Sequence, residues 1–210
     1  MKYKNIIWDW NGTLLNDVEI SLATLNEMLT RRHLQSLSLS QYRELFGFPV
    51  RDYYENIGFN FERDDWDDVS LEYVETYNCL VRQATLTENI PNVLTEIQQA
   101  GIRQYVLSAL QEDLLHEMLH RYAIRTYFSG VCGANNIYAD GKINRGKEML
   151  TYYSIVPSET LMIGDTLHDA EVAQALGLDI YLFSGGHNSL HRLQKAAPVL
   201  TSMEELLKQL

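Results

Sequence analysis

Two short acidic stretches carry the chemistry that this sequence offers. Asp9-Trp10-Asn11-Gly12-Thr13 and Gly164-Asp165-Thr166-Leu167-His168-Asp169 each follow an apolar run, and a third such run ends at Ser108-Ala109. Carboxylates brought close together repel unless a cation or a proton intervenes. Oxygen ligands without Cys or clustered His suit a hard cation, so the two stretches, facing each other, would form a Mg2+ site and not a zinc site. Asp165 and Asp169 stand four residues apart across a turn into a helix. That spacing lets one ligate the cation while the other ligates it or orients its waters. Asp also caps helices, and the two roles are compatible.

A parallel sheet is what must bring these stretches together. Residues 3–8 read as a buried strand that ends at Asp9 and Gly12. From Asn16 to about Asp68 the spacing becomes helical: Val18, Leu22, Leu25 and Leu29 recur at three and four residues, with Asn16 as N-cap. Ser38 and Gln41 have the spacing of a capping box at a second helix, the helical pattern resumes over 64–81, and no strand stands out in between. From Pro91 helices and strands alternate: a helix stopped by Gly101, a strand at 103–108, a helix at 112–122 and an apolar run at 127–131. A helix after residue 144, a strand at 160–164, a helix at 168–176, a strand at 179–183 and a last helix after Ser202 repeat the order. This predicts an α/β fold, a doubly wound (Rossmann-like) parallel sheet, as a core domain of residues 1–14 and 89–210. An all-helical module, residues 15–88, is inserted into it. Open parallel sheets bind ligands outside the carboxyl ends of their strands, where the acidic stretches fall.

Composition narrows the partners. The 210 residues are 46% hydrophobic and 21% charged, ordinary for a folded chain and wrong for a coiled coil, a collagen or a disordered segment. A net charge of -11 opposes phosphate backbones and anionic headgroups, so neither nucleic acid nor a membrane is an expected partner. Cys79 and Cys132 are too few for a disulfide framework and lie outside any CxxC spacing, which predicts two buried thiols. No apolar run approaches the roughly 20 residues of a membrane span. The apolar stretch in MKYKNIIWDWNG is too short for a signal peptide, and a cytoplasmic monomer or homodimer is expected.

In type and order these residues resemble the haloacid dehalogenase superfamily, and the helical module resembles the cap of its phosphoglycolate phosphatase-like branch. The resemblance runs over nearly the whole chain: DWNGT at 9–13, Ser108 in VLSAL, a lysine near Lys142, and GDTLHD at 164–169. It implies a Mg2+-dependent phosphatase for a small phosphorylated metabolite, in which Asp9 attacks phosphorus and forms an aspartyl-phosphate. It further implies metal ligation by Asp9, Asp165, Asp169 and the Asn11 backbone carbonyl, and phosphate binding by Thr13, Ser108 and Ala109 with help from the Gly12 loop. A lysine should touch both the nucleophile and the transferring group. Lys142 matches the family's usual distance to the fourth motif better than Lys147, which lies inside the expected helix.

Asn11 departs from the pattern. Phosphatases of the superfamily carry there a second Asp, which protonates the leaving oxygen and then deprotonates water; an amide does neither, at a cost of about 10² to 10⁴ in rate. The alternative to a slow phosphatase is a degenerate member that binds a phosphorylated ligand or a partner protein without turnover. Phosphonoacetaldehyde hydrolase, with a similar first motif, needs a cap lysine for its imine, and there is no lysine between Lys4 and Lys142. Dehalogenases proper need no metal and usually lack the GD signature that GDTLHD supplies. Acyl phosphates and phosphoanhydrides, which leave well unprotonated, stay open. His168 either replaces the missing acid or lies on the surface. Arg51, in the cap turn, either meets a second anionic group of the substrate or pairs with Glu55. The Ser184-Gly185-Gly186-His187 loop resembles one common in this branch and has no assigned role.

Overall fold

Alternation at one four-residue strand sets the layers. In β1 (Asn5–Trp8) every residue is buried. Ile6 and Trp8 pack into one apolar cluster while Ile7, between them, packs into another on the opposite face, as a period of two requires. The computed structural model describes residues 2–136, 138 and 141–210.

After β1 the chain forms a two-residue strand, β2 (Leu15–Asn16), and four helices: α1 (Val18–Arg31), α2 (Leu39–Leu45), α3 (Val50–Asn56) and α4 (Trp66–Leu80). β3 (Thr85–Leu86) then returns antiparallel to β2, so a small ribbon ties the two ends of the helical segment together. Next come α5 (Ile90–Gln99), β4 (Arg103–Gln111), α6 (Glu112–Arg121), β5 (Phe128–Ala134), α7 (Lys142–Tyr152), β6 (Thr160–Gly164), α8 (Leu167–Leu176), β7 (Asp179–Phe183), α9 (Leu190–Leu193) and β8 (Val199–Leu200). Met203–Lys208 close the chain as a 3-10 helix, where a last helix was expected.

The large sheet has the order β5-β4-β1-β6-β7-β8 and its pairs are parallel. Trp8 is in register with Val106 on one side and Ile163 on the other. Leu94 of α5 and Leu119 of α6 pack on the Ile6 face, and Met149 of α7 and Val172 of α8 on the Ile7 face. The sheet is therefore doubly wound, and the chain reverses its winding beside β1, the position at which such sheets open a crevice. α1–α4 surround an apolar cluster of their own, with Leu25, Met28, Tyr54 and Val69 at its centre.

Some expectations are corrected. Asp17, not Asn16, occupies the N-cap of α1, and its side chain makes no capping bond because it is committed elsewhere. The ribbon β2–β3 and the pair α9–β8 were not anticipated; two to four residues are too few for a periodic signal. Cys79 is exposed and Cys132 half-buried, so these thiols are not the buried pair expected. The capping box of Ser38 and Gln41 is formed as the spacing predicts. Among the described residues no helix is long and apolar enough to cross a membrane.

Candidate active site

β1 and β6 end side by side and deliver the acidic groups. The Asp9 N–H donates to the Ile163 carbonyl at 2.8 Å, carrying the sheet one residue past β1. Beyond β6, Asp165 and Thr166 turn into α8, where Thr166 and Asp169 form a capping box. The Asp169 Oδ2 accepts from the Thr166 hydroxyl at 2.7 Å and from the backbone N–H groups of Asp165 and Thr166 at 3.1 and 3.0 Å. Gly164 has no room for a side chain, since a Cβ there would lie 2.4 Å from the Asp169 carboxyl carbon. One oxygen from each of Asp9, Asp165 and Asp169 lies within 4.8 Å of the others, all buried. Lys142, the first residue of α7, sends its Nζ between Asp9 Oδ1 and Asp169 Oδ1, the latter at 2.6 Å.

Three carboxylates against one ammonium leave two negative charges in a buried place. Burial, with Asp169 and Asp165 close by, holds the Asp9 carboxyl well above the usual carboxylate range despite Lys142. Burial and Asp169 likewise push Asp165 up to about 6, against the pull of His187. Asp169 goes the other way: burial opposes its charge, but Lys142 and Thr166 more than offset it and lower its pKa. Burial also opposes the charge of Lys142, which Asp169 and Asp9 keep protonated. An all-oxygen set with this residual charge fits a divalent hard cation.

The surrounding residues fall into two groups. Ser108 and Ala109 line the cavity above the carboxylates, with the Ser108 Oγ accepting from the Leu110 N–H at 3.0 Å. Thr13 lies behind it: its hydroxyl donates to Asp165 Oδ1 at 3.1 Å. Asn11 lines the cavity, but its Nδ2 donates to Asp17 Oδ2 at 2.7 Å and to the Tyr77 hydroxyl at 2.8 Å. Arg51 is not among the described residues lining the cavity; its guanidinium stands over the Phe61 ring and 3.6 Å from Glu55. Lys147 is exposed on α7 and bridges no carboxylate pair. His168 lines the cavity with its ring stacked on Phe48, centroids 4.4 Å apart, and its Nδ1 3.1 Å from Glu171.

The sequence profile of the haloacid dehalogenase-like hydrolases matches residues 6–183. The chain belongs to this family. Among its relatives, the phosphoglycolate phosphatase of Pseudomonas fluorescens is 23% identical over 205 residues, 93% of this chain and 74% of that one. The tyrosine-protein kinase PtkA of Mycobacterium tuberculosis is 23% identical over 127 residues, 60% of this chain; the match spans 44% of PtkA, less than half its length. A haloacid dehalogenase-like hydrolase from Streptococcus pneumoniae superposes with a TM-score of 0.85 at 19% identity, covering 99% of this chain and 98% of that one.

In this haloacid dehalogenase-like chain, two residues beside the carboxylates had no role assigned from the sequence: Asp17, which no motif contained, and His187, which closes the loop of residues 184–187. Asp17 accepts from the Gly12 N–H at 2.8 Å and the Tyr77 hydroxyl at 2.7 Å, and its Oδ1 lies 3.4 Å from His187 Nε2. His187 gives its backbone N–H to Asp165 Oδ2 at 2.6 Å and sets its Nδ1 2.8 Å from the Tyr42 hydroxyl. Burial alone would lower the His187 pKa, but Asp17 and Asp165 raise it to about 9. Glycines make this packing feasible: a Cβ on Gly12 or Gly186 would meet Asp165 Oδ2 at 2.2 or 2.1 Å. The glycine pair before His187 was the one available signal, since it marks a backbone that must approach something closely.

Proposed function

We propose that this chain is a phosphomonoester hydrolase in which Asp9 takes up the phosphoryl group of a small phosphorylated metabolite. The observation that carries the reading is Lys142, buried and bridging Asp9 to Asp169 opposite Asp165. An ammonium so placed opposes the burial that disfavours the ionised Asp9 and orients its carboxylate, and it lies where negative charge grows on the transferring group. An Asp9 oxygen attacks phosphorus, the bond to the leaving oxygen breaks, and water then cleaves the aspartyl-phosphate to phosphate. Asp9, Asp165, Asp169 and the Asn11 backbone carbonyl would hold Mg2+. When bound, that ion offsets the repulsion between these carboxylates and the phosphoryl oxygens. Ser108 and the backbone at Ala109 would contact the phosphoryl oxygens, while Thr13 would act through Asp165 by holding its carboxylate. The helices of residues 18–80 would serve as the cap over a core made from the rest of the chain. The phosphoglycolate phosphatase relative supports the reaction class.

Hydrolysis of p-nitrophenyl phosphate, whose leaving group needs little protonation, tests the reading. Turnover should require Mg2+ and should vanish in Asp9→Asn with the fold intact; turnover retained in that variant refutes the covalent route. One observation favours a second reading, a phosphoryl-ligand binder without turnover: the Asn11 amide is tied to Asp17 and Tyr77 and supplies no acid. Complete inactivity of folded, Mg2+-supplied protein would select it.

A further inference from the structure

The cavity that reaches Asp9 and Lys142 has a second wall, built by the helical insertion, and that wall is aromatic. Tyr42, Phe46, Phe48, Tyr53, Tyr54 and Trp66 line it. Among the described lining residues Lys142 is the one Lys or Arg side chain, and it is committed to Asp9 and Asp169. The neighbouring arginines are used elsewhere. Arg43 donates to the Gly185 and Gly186 carbonyls at 2.9 and 3.0 Å, Arg192 to the Arg43 and Phe46 carbonyls at 3.1 and 2.6 Å, and Arg51 stands over Phe61. A second carboxylate or phosphate on the substrate would lose its water against rings, a costly step, and meet no uncommitted cation, since the His187 imidazolium is paired with Asp17.

Burial drives the Tyr53 phenol upward and keeps it neutral, so the wall adds no charge of its own there.

Resting on the hydrolase reading, we infer that the substrate is a phosphomonoester whose leaving group is uncharged and carries a flat ring. The ring stacks within the aromatic wall and the phosphoryl group reaches Asp9. The geometry disfavours small esters with a second anionic group, such as phosphoglycolate.

Benzyl phosphate, ethyl phosphate and phosphoglycolate all release alkoxide-type leaving groups, so comparing kcat/KM on the full chain with Mg2+ separates recognition from leaving-group acidity. Benzyl phosphate should lead both by at least about tenfold, as expected for one well-stacked buried ring. Calorimetric affinities of ethylphosphonate and benzylphosphonate need no turnover. The ring should tighten binding about tenfold. Equal binding of the two compounds, or a preference for phosphoglycolate, overturns the inference. Inert p-nitrophenyl phosphate alongside ring-dependent phosphonate binding would instead remove the hydrolase reading and leave the recognition intact.

Discussion

Asn11 owes its identity to Asp17. Its amide gives one proton to the Asp17 carboxylate at 2.7 Å and lies 2.8 Å from Tyr77, in a place where Asp17 itself is 1% exposed. A carboxylate at position 11 would face a second one at hydrogen-bond distance, so Asn11→Asp alone should not simply restore acid–base catalysis. It should destabilise the protein by about 2–3 kcal/mol through a lost bond and a buried like charge. Thermal melts should show this as a midpoint lower by roughly 5–10 °C for a chain of this size. Exchanging the pair, Asn11→Asp with Asp17→Asn, returns donor to acceptor across the same gap. It removes the like-charge contact but also the Asp17–His187 pair, so the midpoint should stay below the parent's while turnover of poor leaving groups rises by at least about tenfold. If Asn11→Asp melts like the parent, the Asp17 contact does not hold position 11. Asp9, Asp165 and Asp169 were legible in the sequence because each stands at a strand end or helix start that the apolar pattern marks. Asp17 and His187 were not: the pair joins segments at opposite ends of the chain, and neither residue sits in a spacing with chemical meaning of its own. Lys142 was legible as a residue but not in its place, since the helix read from residue 144 begins at Lys142 itself, and that start aims the ammonium between two carboxylates.

Between elements, the decisive joint is the one holding α2 to the loop before α9. Tyr42 reaches His187, Arg43 donates to the Gly185 and Gly186 carbonyls, and the Asn188 amide donates to the Phe46 carbonyl at 2.9 Å. Phe48 adds its stack on His168 of α8. These side chains, with Arg192, which donates to the Arg43 and Phe46 carbonyls, hold the helical insertion against the sheet's carboxyl edge. Arg43→Ala removes two charge-assisted bonds and should weaken this docking by about 1–3 kcal/mol. Local opening should respond more than global unfolding: amides of α2 should exchange several-fold faster, KM for p-nitrophenyl phosphate should rise, and the melting midpoint should move by only a few degrees. Unchanged exchange in α2 would mean that the remaining contacts seat it without Arg43. Elements with a run of five or more patterned residues, such as β6, β7 and α5, could be read from the sequence because periodicity needs length to show. The ribbon β2–β3 and the short β8 could not, since they exist through partners distant in the chain.

Across the whole molecule, charge is the controlling quantity. The chain carries a net -11, and three of its carboxylates lie buried at its centre against one ammonium. Because Asp9 is held well above the carboxylate range and Asp165 at about 6, a divalent cation must displace protons to bind at low pH. Stabilisation by Mg2+ at a hundredfold excess over its dissociation constant should approach about 2.7 kcal/mol at pH 7.5. It should shrink markedly at pH 5, where Asp165 is largely protonated; equal midpoint gains at both values would exclude the carboxylates as the site. In chelator-treated protein a second dependence runs the other way. His187 has a pKa of about 9 in the fold against 6.5 in an unstructured chain, because Asp17 outweighs the burial that opposes its charge. A pKa raised by folding adds stability that is fully present below 6.5 and is lost as pH climbs through 9. The full contribution is on the order of 3 kcal/mol. Asp17, whose carboxyl is depressed because His187 overcomes its burial, stays ionised throughout that window and contributes no slope there. Metal-free wild type should therefore lose midpoint steadily from pH 6.5 to 9.5. His187→Gln, less stable than wild type at pH 6, should show a much smaller decline over the same range, and parallel declines in the two proteins would show that the Asp17–His187 charge pair does not form.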